Sequence, residues 1–175
     1  MRIREALPTD SPAIAMVHVD SWRSTYRGII SAEVLDGLSY PDRERIWEGS
    51  LTTHRSSNFI YVAEADEGPV VGFAAAGKER TGRTDFPGEI YAIYLLKDYH
   101  GRGWGRQLFQ AAAGRLAMEG FNGLMLWVLA DNPTRGFYEA LGGRLLGEQQ
   151  IRIGPDSLAE VAYGWEDLDE LRTQG

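Results

Sequence analysis

The spacing of apolar residues changes along the chain, and each change marks an element. Ala15, Val19, Trp22 and Tyr26 recur at intervals of four, three and four, which is one face of an α-helix. The "TDSP" stretch at Thr9–Pro12 predicts where that helix begins, with Asp10 or Ser11 as cap and Pro12 in the first turn. Gly28 predicts its end, "SAEVLDGL" from Ser31 predicts a second helix, and Pro41–Gly49 predicts a further helical stretch. Before all of these, Met1–Ala6 alternates weakly, as a short first strand does. From Asn58 the period drops to that of strands. "NFIYVAEA" (Asn58–Ala65), a turn at Glu67–Pro69 and "VVGFAAAGKE" read as a β-hairpin. After the loop Thr81–Gly88, "EIYAIYLL" (Glu89–Leu96) is the clearest strand in the sequence.

The second half alternates between the two periods. Leu108, Phe109, Ala112 and Leu116 share one helix side, and Gly120 or Asn122 stops that helix. "LMLWVL" (Leu124–Leu129) is continuously apolar, which predicts a strand covered on both faces. "DNP" introduces a helix over Pro133–Leu141, ended by Gly142-Gly143, and Arg144–Ile153 with Leu158–Trp165 form a closing hairpin around "GPDS". Adjacent strands interleaved with helices point to an α+β fold with a mixed sheet. No repeat or linker divides the 175 residues. A single domain over 1–175 is expected, with an acidic tail from about 166 that frays.

Composition narrows the function. The formal charge is -7 and no basic stripe is visible, which argues against nucleic acid as a partner. With no cysteine in the chain, disulfides, thiolate metal sites and cysteine nucleophiles are excluded. His18, His54 and His100 are too dispersed to suggest a metal site. The charged start "MRIREALPTD" lacks an apolar signal core, and the longest apolar run, Leu124–Ala130, is too short to span a bilayer. A cytoplasmic protein with no membrane partner is the expectation.

One segment departs from ordinary helix design. In "YHGRGWGRQLF" (Tyr99–Phe109), Gly101, Gly103 and Gly105 alternate with other residues just where a helix begins. Strand, glycines and helix together make an anion site, because the first helical turn presents free N–H groups and a partial positive charge. Arg102 and Arg106 can add charge-assisted bonds. The P-loop sequence is missing, and G-x-G-x-x-G fails because its third glycine would fall on Arg106 or Leu108.

His100–Gly101–Arg102–Gly103–Trp104–Gly105 resembles the pyrophosphate-binding motif of the GNAT superfamily, the acyl-CoA-dependent N-acetyltransferases. That motif runs Gln/Arg-x-x-Gly-x-Gly/Ala and opens the family's main helix. "EIYAIYLLKDYHGRGWGRQLF" is similar to the family's signature strand, turn and helix, and "NPTRGFYEALGG" to its later Asn…Tyr-Glu…Gly stretch. Two departures stand out: His100 replaces Gln or Arg, and Asn132 lies six residues before Tyr138 where many members have seven. The second leaves Asp131 as an alternative for the Asn role.

The resemblance implies a central, mostly antiparallel mixed sheet of about seven strands flanked by helices, with a cleft between strands 89–96 and 124–129. It implies acetyl-CoA as co-substrate, no metal, and a small-molecule or peptide amine as acceptor. The cofactor is expected on Gly101, Arg102, Gly103, Trp104, Gly105 and Arg106, on the strand backbone at Ile93, Tyr94 and Leu95, and on Asn132 and Tyr138. A strand N–H would polarise the thioester carbonyl. Glu89 is the expected base, though it also reads as a solvated strand-end acid. Tyr138 is the expected acid toward the leaving thiolate, though Phe137–Tyr138 also reads as core. Trp22 and Tyr26 are the expected acceptor wall, on a stripe that is otherwise core. Two rival readings are an acyl-CoA sensor without turnover and a nucleotide-binding regulator. A homodimer that pairs the terminal strand Leu158–Trp165 is a further expectation.

Overall fold

In the computed structural model, which describes residues 1–53, 58–66, 68–82 and 85–168, twelve regular elements follow one another. They are β1 (Arg2–Glu5), α1 (Ser11–Thr25), α2 (Ala32–Asp36), α3 (Tyr40–Thr52), β2 (Asn58–Glu64), β3 (Val70–Lys78) and β4 (Gly88–Leu95). Then come α4 (Trp104–Met118), β5 (Leu124–Leu129), α5 (Arg135–Ala140), β6 (Arg144–Ile153) and β7 (Asp156–Trp165). The strands form one sheet of 7 in the order β1-β2-β3-β4-β5-β7-β6. Every neighbouring pair is antiparallel except β4 and β5. The expected α+β architecture with a mixed sheet is what the chain adopts.

Helices cover both faces. Leu108, Phe109, Ala112 and Leu116 of α4 are buried against Ile90, Leu124 and Leu126 on one face. On the other, Ile14 and Val17 of α1 and Trp47 of α3 pack on Ile60, Val62 and Phe73. Each such Leu, Ile or Phe contributes about 1.5–3 kcal/mol through burial. β5 has apolar cover on both sides, with Leu126 under α4 and Met125 against Phe86.

The parallel pair positions the site. β4 and β5 hydrogen-bond only where they begin, at Gly88↔Leu124 and Glu89↔Met125. Beyond Glu89 the two strands diverge into a V. The peptide groups of β4 that point away from β3 then face a slot instead of a strand. The sequence expectation of a cleft between these two strands is met by this divergence.

Several boundaries differ from the sequence reading. Neither Asp10 nor Ser11 caps α1 through its side chain. The Asp10 carboxylate instead accepts from the Leu7 N–H at 2.7 Å and pairs with Arg4 at 2.7 Å, closing the turn before the helix. The last helix is shorter than Pro133–Leu141, because Asn132 folds a turn onto Thr134 first. The segment expected to pair across a dimer does not lie at an edge: β7 runs between β5 and β6, and the exposed edges belong to β1 and β6. Glu67 of the hairpin turn, part of the loop Thr81–Gly88, His54 and the tail from 169 fall outside the described residues. Among the described residues no helix is long and apolar enough to cross a membrane, and no three His, Asp or Glu side chains converge as metal ligands do.

Candidate active site

The glycine turn occupies one mouth of the slot. Gly101 and Gly103 have φ of +73° and +82°, the left-handed region that costs other residues about 1–2 kcal/mol. A Cβ on either would meet nothing within 4 Å, so backbone conformation, not crowding, selects glycine there. Gly105 differs: its Cβ would come within 3.3 Å of the Phe137 ring, so here close packing of α4 on α5 selects it. Gly103 is the N-cap of α4 and contributes no side chain to the first-turn amides. His100 fastens the turn to the end of β4, its Nε2 lying 2.8 Å from the Leu95 carbonyl oxygen.

A cavity of about 450 Å³ runs from this turn into the slot. Ile93, Tyr94 and Leu95 line it, with Gly101, Gly103, Gly105 and Arg106 at the mouth and Asn132, Tyr138 and Tyr26 deeper in. The expected cofactor residues therefore converge, with two exceptions. Arg102 and Trp104 do not line the cavity. They stand outside the turn, where the Trp104 ring packs on Tyr99 at 5.2 Å and the Arg102 guanidinium lies over both rings. Between the alternatives at the Asn position, Asn132 reaches the cavity and is buried, whereas Asp131 is exposed.

Three phenols gather where the slot crosses the sheet. Burial pushes the Tyr138 pKa well above the ordinary tyrosine value, and neighbouring Tyr94 adds to the shift. Tyr26 is raised by burial and by Tyr94 and Tyr138, against the opposing Asn132 bond, and Tyr94 is raised by burial. Each would have to place a negative charge beside the others in a dry site, so all three stay protonated donors.

A second cavity, of about 410 Å³, opens on the α1 side of the sheet. It shares Tyr26, Ile90, Tyr91, Tyr94, Trp127 and Val128 with the first, so the two meet through the V. Trp22, Tyr91, Tyr94 and Trp127 make its walls aromatic, and Ile151 and Ile153 add an apolar side. The Trp127 indole N–H is buried with no acceptor. Glu89 is buried at the vertex of the V, and its carboxylate accepts three bonds from Arg80: from the backbone N–H and Nε at 3.1 Å and from Nη2 at 2.6 Å. The same guanidinium lies 4.0 Å from the centre of the Tyr91 ring. Glu89 and Tyr138 thus face different cavities on either side of the junction. Glu160 lies at the far end, accepting from Gln149 Nε2 at 2.6 Å.

His18 sits behind this wall and does not line either cavity. Its Nδ1 accepts from the Trp47 indole N–H at 3.1 Å, and its ring stacks on Tyr94 at 5.1 Å. Burial, helped by the Arg43 charge, pushes its pKa down to about 3, so it is a neutral packed histidine.

Sequence reasoning missed Arg80, Tyr91, Trp127 and Glu160 as site residues. Glu89 and Tyr91 are two apart on one strand and share a face, a signal available from spacing alone. Arg80 and Glu160 reach the site only through tertiary pairing, which no local pattern encodes.

Known proteins resemble this chain along most of its length. Residues 19–143 match the family model described as the Acetyltransferase (GNAT) family. The N-acetyltransferase YuaI of Bacillus subtilis (strain 168) is 39% identical over 171 residues, 98% of this chain and 96% of that one. A probable N-acetyltransferase of Mycobacterium tuberculosis is 29% identical over 79% of this chain and 77% of its own. Among solved structures, PaiA N-acetyltransferase from Thermoplasma acidophilum in complex with coenzyme A superposes with a TM-score of 0.73 at 21% identity, over 91% of this chain and 96% of that one. The yncA acetyltransferase from Salmonella typhimurium, with its cofactor acetyl-CoA, gives 0.69 at 18% identity, over 95% of this chain and 93% of its own.

Proposed function

The chain belongs to the GNAT family of acetyltransferases, and from that premise we propose that it moves an acetyl group from acetyl-CoA to a primary amine by direct attack in a ternary complex. The observation that carries this reading is the V between β4 and β5, which joins a glycine turn on one side to an aromatic chamber on the other. The diphosphate of coenzyme A fits the uncapped amides at the start of α4. The pantetheine arm then lies along the unpaired edge of β4 at Ile93, Tyr94 and Leu95, and brings the thioester to the junction. Holding both reactants there contributes about 7–11 kcal/mol of the barrier reduction.

The amine enters from the chamber and its nitrogen attacks the thioester carbon. The carbonyl π electrons move to oxygen, toward a β4 N–H. As the tetrahedral species collapses, the C–S bond breaks and the electrons leave on sulfur. The surplus amine proton passes to Glu89, directly or through water. The Arg80 bonds fix the Glu89 carboxylate at the strand vertex, where it serves as the proton acceptor. Tyr138 donates to the departing sulfur. Burial makes its phenol a weaker acid, but a thiolate formed in the same dry site is made more basic by the same effect, so the bond between them strengthens. With no cysteine present, the acetyl group does not pass through a thioenzyme.

Two measurements on the purified protein test this. Acetyl-CoA raises the melting temperature, since about 100 times Kd of a native-state ligand adds about 2.7 kcal/mol. CoA thiol is released only when an amine is added. Acetyl-CoA without effect on melting, or an acetylated protein formed without amine, contradicts the proposal.

A further inference from the structure

We propose that the acceptor is an aliphatic diamine whose second, protonated nitrogen is held by Glu160; the assignment rests on the acetyl-transfer reading above. The chamber's charges decide the sign of its ligand. Among the described residues, three charged side chains line it: Arg80, Glu89 and Glu160. Arg80 and Glu89 neutralise each other through a doubled contact. Glu160 accepts only from the uncharged amide of Gln149, and among the described residues it forms no ion pair. Within that lining Glu160 is the charge left without an ion pair, and Arg43 stands outside the lining, 5.9 Å from the centre of the Trp22 ring. Among the described residues of the lining, an acceptor bearing a carboxylate would find no unengaged cation, whereas a second ammonium group would find a counter-charge.

Register places that charge at a useful distance. Glu160 stands opposite Leu129 in the sheet, and Trp127 lies two residues back along β5 on the same face. The separation along the strand is about 7 Å, the reach of a short methylene chain. Trp127 belongs to both cavities and so marks the junction. A diamine with one nitrogen at the junction and the other at Glu160 lays its methylenes between Trp22 and Trp127 on one side and Ile151 and Ile153 on the other. Aromatic faces also favour the ammonium end.

The test compares 1,4-diaminobutane with butylamine as acceptors, reading acetyl-CoA-dependent thiol release, for the wild type and for Glu160→Gln. The wild type is expected to prefer the diamine in kcat/KM by about tenfold or more, and Glu160→Gln to erase that ratio while acetyl-CoA still raises the melting temperature. Equal rates for the two amines in the wild type overturn the proposal, as does a ratio that Glu160→Gln leaves unchanged. If neither amine reacts while acetyl-CoA still stabilises the protein, the diamine assignment fails and the coenzyme reading stands. If acetyl-CoA has no effect on melting, the reading beneath it fails too. Should Glu160→Gln not fold, the wild-type comparison of the two amines decides by itself.

Discussion

The side-chain amide of Asn132 donates to the hydroxyl of Tyr26 at 3.2 Å, joining residues 106 positions apart. Asn132 is fixed for this by its other end, whose oxygen accepts from the Thr134 N–H at 2.8 Å and from the Thr134 hydroxyl at 2.7 Å. Its amide hydrogens are thereby aimed at α1. The bond spans the slot: Tyr26 is the C-cap of α1, and Asn132 belongs to the turn after β5.

Tyr26→Phe leaves the Asn132 amide without that acceptor in a buried position. The expected cost is about 1–3 kcal/mol, read as a lower urea midpoint with an unchanged slope. Because Tyr26 also lines the chamber, the same variant is expected to raise the KM for the amine more than that for acetyl-CoA.

Glu89→Gln and Tyr138→Phe are each expected to lower kcat by about a hundredfold, with little change in the acetyl-CoA melting shift. Arg80→Met separates the roles of the vertex pair. If Glu89 takes the proton, its loss costs more than the loss of Arg80; equal losses would mean that Glu89 only positions the loop. Burial holds Tyr138 protonated past the ordinary tyrosine range, so the rate is expected to show no fall as pH passes about 10 that Tyr138→Phe removes. Initial rates across pH check this.

His18 gives the fold an acid sensitivity of definite sign. Its pKa is about 3 in the folded chain against 6.5 as the ordinary value. Between those values the unfolded chain binds a proton that the folded chain does not, so stability rises with pH through the window and is lost as pH falls below about 6.5. From about pH 6.5 to about pH 4.5 the expected loss is about 2–3 kcal/mol. In His18→Gln, whose carbonyl oxygen can still accept from Trp47, that slope is expected to flatten. Urea unfolding at the two pH values measures it.

Much of the fold was legible because its signals are local. The period of four and three through Ala15–Tyr26, and the run Leu124–Leu129, report burial directly. The cap of α1 was misread because Asp10 has two uses, and pairing with Arg4 from β1 decided between them. The dimer strand was misread because chain order does not reveal sheet order: β7 crosses inside β6. At the site the glycine turn was visible, and Arg102 and Trp104 were read with it as cofactor contacts; the fold sets both outside the cavity, where they stack on Tyr99, a tertiary outcome that no local spacing encodes.

In the proposed complex the turn at 101–106 grips coenzyme A and its arm threads the V between β4 and β5. A crystal structure of the protein with acetyl-CoA tests this most directly. Diphosphate oxygens are expected within hydrogen-bond distance of the amides at the start of α4, and the thioester carbon between Tyr94 and Val128. A diphosphate bound elsewhere with the turn empty, or a thioester lying outside the V, contradicts it.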